Sequence, residues 1–438
     1  MLRSEHPQPL LPYDVPVLPS HALGRVSSYL PDEILLEILS HLPQTPTGQG
    51  QADINNFCLV SRQWYDIGIT RLYERPYLIG SGYSQFVRTI CPSILPHIRK
   101  SELASLVKTL NLRHIVHQGS KSVTARLLGR TKANLEVFVA PQASFAVNCW
   151  ASLSKCSQLR YLDLSLVSEA ISYQALARTV RSLHELTDLY LPRCSADYQD
   201  AALSMTWPPK LRHLQLSGGV HGKFMQDLNK QPENFPPTLT QLNVSHAPKV
   251  TAADLLELLG NLSAPLIKLE IVNLPQLREG SLNEVLSICP NLVELVLAID
   301  YIDFGFGASL PSSKAAGGPD LWMKSHPLQR LKLLTSGGHH PESDFYFTPA
   351  DLWDFVDKRW LGRLRYVVVA DSTAWNEGEW AQEMQALFDA LVTLDKENFI
   401  HKRWHYAPDI GKGLTYLNWR KTQKGDDMAP SLSMLKWI

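Results

Sequence analysis

The sequence predicts an α/β chain: a small three-helix unit near the N-terminus, then a solenoid of parallel strands with outer helices, then a C-terminal cap. Three observations carry that reading. A one-sided apolar helix starts beside Leu30, a Leu-x-x-Leu-x-Leu pattern recurs from residue 107 onward, and beyond Ala370 that pattern yields to one long amphipathic segment. At 438 residues the chain exceeds the size at which a single compact core stops growing, so more than one unit is expected.

Taken in order, residues 1–27 hold Pro7, Pro9, Pro12, Pro16 and Pro19, too many for a regular element, and read as a flexible tail. The run Leu30-Pro31-Asp32-Glu33-Ile34-Leu35-Leu36-Glu37-Ile38-Leu39-Ser40-His41-Leu42-Pro43 follows. At 100° per residue, Ile34, Leu35, Ile38, Leu39 and Leu42 share an arc of about 140°, the width of a buried face. Pro31 suits the first helical position, Asp32 and Glu33 oppose the positive end of the helix dipole, and Pro43 stops the helix. A polar loop from Gln44 to Gln51 leads into an apolar run that ends at Ser61. Ser61 is a good N-cap for a third helix from about Arg62 to Tyr73, which closes before Arg75-Pro76.

The motifs LPxEIL, at Leu30 to Leu35, and CLVSRxW, at Cys58 to Trp64, together resemble an F-box, and the unit is placed at 28–77. The resemblance implies docking on the Skp adaptor of an SCF-type ubiquitin ligase and, through it, on a cullin. Carried over by position, the adaptor-facing residues would be Leu30, Pro31, Ile34, Leu35, Ile38, Leu39, Leu42, Cys58, Leu59, Val60 and Trp64. The Gln44–Gln51 loop is longer than the link the resemblance leads one to expect. A second reading stays open, in which the stripe turns inward and caps the rest of the chain. If the two units have separate cores, charges at Leu35 and Leu39 are expected to abolish docking while the repeats stay folded.

A connecting segment, either a helix or an irregular early repeat, is assigned to 78–105. The leucine pattern occupies 106–372 in ten triplets, from Val107/Leu110/Leu112 through Leu162, Leu189, Leu214, Leu242, Leu269, Leu295 and Leu331 to Leu364/Val367/Val369. Seven of the nine spacings between triplets lie from 24 to 28 residues and the last two are 36, which marks insertions at Tyr301 to Gly318 and Thr335 to Trp360. Each unit would give one short strand and return outside it, so only stacking can bury its apolar edge. Ser172 to Arg181, Ala252 to Leu259 and Ser281 to Ser287 read as outer helices. The pattern resembles the leucine-rich repeats of F-box/LRR proteins, in degenerate form. At the position that usually holds Asn or Cys, only Cys194 complies. The remainder, 373–438, reads as a cap whose helix from about Glu377 to Leu394 turns Trp380, Met384, Leu387 and Leu391 to one side.

Residues flanking the inward leucines would face the concave side of the solenoid. They include Arg113, Tyr161, Asp163, Tyr190, Arg193, His213, Gln215, Asn243, Lys268 and Glu270, and their mixed charge suits a protein target. Tyr161, Tyr190 and Arg193 stand out, because Tyr and Arg are enriched in binding hot spots.

Composition narrows the classes further. Lys plus Arg and Asp plus Glu both count 42, so no net field draws nucleic acid or an anionic membrane. No window approaches the roughly 20 apolar residues of a membrane span. Six cysteines without a CxxC pair and without an apolar signal segment suit a reducing compartment, cytoplasmic and/or nuclear. No GxxxxGK[ST], HExxH or GxSxG motif occurs, and the pairs His114/His117 and His339/His340 lack further ligands at metal spacing. No cofactor and no catalysis of its own are therefore expected. The sequence reads as a substrate receptor of a ubiquitin ligase with an unidentified protein target, or alternatively as an F-box/LRR interaction scaffold outside any ligase.

Overall fold

The computed structural model describes residues 30–43, 48–92, 101–115, 121–169, 171–192, 205–218, 222–307, 321–336, 346–403 and 414–436. The proline-rich tail at 1–27, Arg193, Cys194, His117, His339 and His340 lie outside them.

Three helices open the described chain: α1 (Asp32–His41), α2 (Gly48–Cys58) and α3 (Arg62–Glu74). Ser61 caps α3, its side chain accepting the Trp64 N–H at 3.4 Å. The polar stretch read as a loop from Gln44 to Gln51 is helical from Gly48 onward, because its glutamines have partners there. Gln49 donates to Asp53 one turn ahead at 2.8 Å. Gln51 donates to the Leu72 carbonyl and accepts the Tyr77 N–H, fastening α2 to the far end of α3. Leu35, Leu39 and Phe57 form a small core of this unit's own, with Leu30, Leu42, Trp64 and Ile67 packed on it. Gly68 is required where α3 crosses α2, since a Cβ there would sit 2.7 Å from Cys58 Sγ and 2.9 Å from Phe57.

The connecting segment is a helix, α4 (Ser81–Ile90), whose Tyr83, Phe86 and Ile90 enter the main core. Tyr73 of α3 stacks on Phe86 at 6.2 Å between ring centres. Lys108 ties the same junction twice, its N–H donating to the Glu74 carbonyl at 3.0 Å and its Nζ to the Glu74 carboxylate at 3.1 Å. The helical unit and the sheet thus share a packed joint, although their cores are distinct.

The described residues form an eleven-stranded parallel sheet in strict sequence order. Its strands are β1 (Thr109–Asn111), β2 (Val137–Val139), β3 (Tyr161–Asp163), β4 (Asp188–Tyr190), β5 (His213–Ser217) and β6 (Gln241–Ser245). They continue as β7 (Lys268–Val272), β8 (Glu294–Ala298), β9 (Arg330–Leu334), β10 (Tyr366–Ala370) and β11 (Ser431–Leu435). One row of register partners, Leu110, Phe138, Leu162, Leu189, Leu214, Leu242, Leu269, Leu295, Leu331 and Val367, runs through the core, and every member is buried. This is the middle residue of each sequence triplet. The chain returns between strands through α5 (Lys121–Thr131), α6 (Val147–Leu153), α7 (Tyr173–Arg181), α8 (Gly222–Asn229), α9 (Ala252–Leu262), α10 (Val285–Ile288), α11 (Leu321–Lys324) and α12 (Pro349–Asp357). After β5, β6 and β7 the backbone makes the same left-handed turn, at Gly218, His246 and Asn273, so the units repeat in conformation as well as in sequence.

Two further expectations change. The helix read from Ser281 to Ser287 shrinks to α10, because the preceding residues are claimed by the insertion after β8. There Leu282 N–H donates to the Tyr301 carbonyl and Asn283 exchanges hydrogen bonds with Asp303. The aromatics of the two insertions mostly serve packing: Phe306, Phe347 and Phe355 form one buried cluster with Trp375 beyond β10, while Phe304 stays exposed. The second change concerns the cap. The long helix is present as α13 (Trp380–Ile400), with Leu387, Leu391 and Leu394 buried, and α14 (Tyr416–Arg420) and α15 (Gln423–Asp427) follow. The chain then re-enters the sheet as β11, parallel to β10, so the region read as cap alone carries an eleventh strand.

Candidate functional site

The first candidate surface lies on the N-terminal helices. The arc read from the sequence as one face divides into two. Leu35 (0% exposed) and Leu39 (7%) point into the unit's core, together with partly buried Leu30 and Leu42. Ile34 (48%) and Ile38 (36%) lie on the flank of that stripe and face solvent. Leu59 (74%) and Val60 (60%) are also exposed, at the corner between α2 and α3, whereas Cys58 is buried and Trp64 tilts against Phe57 at 4.5 Å. Gln63 fixes that corner beside the start of α1 by donating to the Leu30 carbonyl at 2.8 Å and to Asp32 at 2.7 Å. Exposed Pro31 completes the patch.

The sequence-derived docking set thus divides into buried and exposed members. Leu35, Leu39 and Cys58 are supports, because a three-helix unit this small must spend part of its stripe on its own interior. Ile34, Ile38, Leu59, Val60 and Pro31 remain available to a partner. Exposed Leu36 and Tyr65 escaped the sequence reading, and a count of apolar residues beyond what one small core can bury would have flagged them.

The second candidate surface is the open face of the sheet, where residues alternating with the buried leucines line up in rows. One row runs Tyr161, Asp188, His213, Gln241, Lys268, Glu294, Arg330, Tyr366, and the next runs Asp163, Tyr190, Gln215, Asn243, Glu270, Val296, Lys332, Val368. Tyr161, Tyr190 and His213 form an aromatic shelf, with ring centres 5.2 and 4.7 Å apart. Tyr190 Oη and His213 Nδ1 are hydrogen-bonded at 3.0 Å, and Asp188 stands 3.6 Å from the same nitrogen. Burial and the neighbouring Tyr161 hydroxyl push the Tyr190 phenol well above its ordinary range, so it remains protonated.

Asp163 belongs to the framework: it is buried, accepts from the Ser165 N–H and hydroxyl, and pairs with half-exposed Arg113 at 3.2 Å. Gln215, Asn243, Lys268 and Glu270 are half-buried, and Lys268 pairs with Glu294 at 2.8 Å. Toward β11 the face turns apolar, Val272, Val296 and Leu334 packing together with Leu435. The sequence reading missed this apolar end, because Leu435 comes from the unrecognised strand.

Among the described residues no group of three or more His, Cys, Asp or Glu side chains could hold a metal ion, and no helix is long and apolar enough to cross a membrane. Cys149 and Cys156 sit in the repeat core, and burial pushes the Cys156 thiol up to about 12.

Residues 27–79 match the F-box-like family. Over 87% of its length the chain is 32% identical to the F-box protein YDR306C of Saccharomyces cerevisiae, covering 75% of that protein. It is 27% identical over 84% of its length to Protein pof5 of Schizosaccharomyces pombe, covering 98% of it. Among solved structures, the Rad7 and Elc1 complex of yeast has a chain with a TM-score of 0.39 at 16% identity, over 82% of this chain and 79% of that one. Internalin C2 of Listeria monocytogenes gives 0.31 at 17% identity, over 60% of this chain and 96% of that one. TM-scores this low describe a loose likeness only.

Proposed function

The chain belongs to the F-box proteins, and on that premise we propose that it is the substrate-recognition subunit of an SCF-type ubiquitin ligase. In this reading the patch of Ile34, Ile38, Leu59 and Val60 docks on the Skp adaptor and brings the cullin with it. The repeats, read as leucine-rich repeats, present the open face to a protein target. The observation that carries the proposal is the division of α1 into an inward and an outward apolar side. A folded unit with its core already complete still exposes large aliphatic residues at two adjoining places, which is the signature of an interface.

The packed joint at Tyr73, Phe86, Glu74 and Lys108 would keep target and adaptor at a fixed separation. Ubiquitin transfer then gains from raised local concentration, with no catalytic group on this chain. The acceptor lysine belongs to the target, and the site of action is the cytoplasm and/or the nucleus.

Co-purification tests the reading, with the intact chain compared with the surface variant Ile34→Asp/Leu59→Asp. Recovery of the Skp adaptor and a cullin with the intact chain, and of neither with the variant, is the expected result. Adaptor without cullin would replace the ligase reading by a scaffold outside any ligase. Equal recovery with the variant would remove this patch from the interface.

A further inference from the structure

A half-open pocket of about 510 Å³ lies where the segments leading into β8, β9 and β10 meet, formed by these segments and not by the strands' open face. That volume falls in the range of small-ligand sites. Its charge is one-sided: Lys324 and Arg363 line it, and none of the described lining residues is acidic. Burial lowers the pKa of Arg363, and the guanidinium of Arg403, which itself feels Glu397, adds to that shift. Trp360, also in the lining, carries a buried indole N–H with no hydrogen-bond acceptor among the described residues. A buried donor left without an acceptor costs free energy comparable to a lost hydrogen bond.

The walls are held in place. The His326 N–H donates to the Trp360 carbonyl at 2.9 Å, and Asn398 donates to the Gly362 carbonyl at 3.0 Å. The His326 ring has its Nε2 on the Cys289 carbonyl and its Nδ1 accepting from Leu328 N–H, so it serves as neutral wall and not as a donor to a ligand.

We propose that this pocket binds a small polyanion bearing phosphate or carboxylate groups. Arg363 holds the anion, Trp360 forms part of the wall and Lys324 stands at the mouth. The site is independent of the adaptor patch and of the target face, and binding would clamp three successive repeats together.

Titration calorimetry and thermal melting of the full chain test this, at constant ionic strength, with sodium pyrophosphate and with citrate as probes. The expected result is saturable binding of one molecule per chain by at least one probe, with a rise in melting temperature by mass action. Arg363→Gln should weaken it roughly tenfold or more. Lys324→Gln should weaken it less, and being exposed it keeps the test decisive even if Arg363→Gln fails to fold. Lys332→Gln, on the open face, should leave it unchanged. Pyrophosphate alone would assign the phosphate class, citrate alone the carboxylate class, and both together a general anion site. Binding of neither probe, or binding that ignores both pocket variants, would overturn the proposal.

Discussion

At the scale of single residues, neighbours in sequence take opposite roles. Ile34 and Leu35 are adjacent and equally apolar, yet one is 48% exposed and the other fully buried. Leu35→Asp would place a carboxylate in the three-helix core, at a cost of roughly 3 kcal/mol or more, and should melt that unit. Ile34→Asp should shift stability by no more than about 0.5 kcal/mol. Circular dichroism melts of the two variants check the pair, and comparable loss in both would contradict the division of the helix. The paired charges at Leu35 and Leu39 suggested by the sequence would therefore test folding before docking. Gly68→Ala should cost about 1–3 kcal/mol, because the added methyl meets the Cys58 sulfur and the Phe57 ring.

His326 sets a pH dependence: burial lowers its pKa from 6.5 to about 4. The unfolded chain takes up this proton as pH falls through 6.5 while the folded chain does not. Stability attributable to this group is thus complete above pH ~6.5 and lost progressively toward pH ~4, by about 3 kcal/mol in total. Urea melts across that window should show a shallower acid limb for His326→Gln than for the parent, and parallel limbs would refute the assignment.

At the scale of elements, caps and register did what the local chemistry required. Ser61, Thr251 and Thr348 each precede a helix and accept a backbone N–H from three residues ahead, and Thr348 with Asp351 makes a reciprocal capping box. Ser61→Ala should lower stability by about 1 kcal/mol, read from a urea midpoint with unchanged slope. The first ten strands fall on the ten sequence triplets because period-2 alternation with an apolar centre admits one register only. Where the Asn or Cys position of the repeat is degenerate, buried Ile115, Val167, Ala247 and Leu274 fill the turn by packing. The shortened α10 shows the limit of such reading, since helix-compatible residues there are captured by hydrogen bonds from an insertion twenty residues away.

At the scale of the whole molecule, stability is that of a stack, each unit depending on its neighbours. β11 covers the β10 edge through five paired residues, and α13 is anchored by the buried Arg365–Asp395 pair at 3.8 Å and by Tyr416 donating to Asp395 at 2.7 Å. Removing residues 428–438 should expose the β10 edge, lower the melting temperature and promote association, measurable by light scattering alongside the melt. An unchanged monomer with an unchanged melt would make β11 dispensable.

The sequence by itself determined the helical unit, the Ser61 cap, the ten core triplets and their spacing, because each rests on local periodicity and on short-range backbone chemistry. Only the tertiary structure decided which side of α1 is spent on its own core, that the C-terminal segment adds a strand, and that Asp163 supports the open face and does not project from it. It also brought Arg363, Trp360 and Lys324 into one pocket. These outcomes depend on contacts between residues far apart in the chain, where packing and partner availability outweigh local propensity.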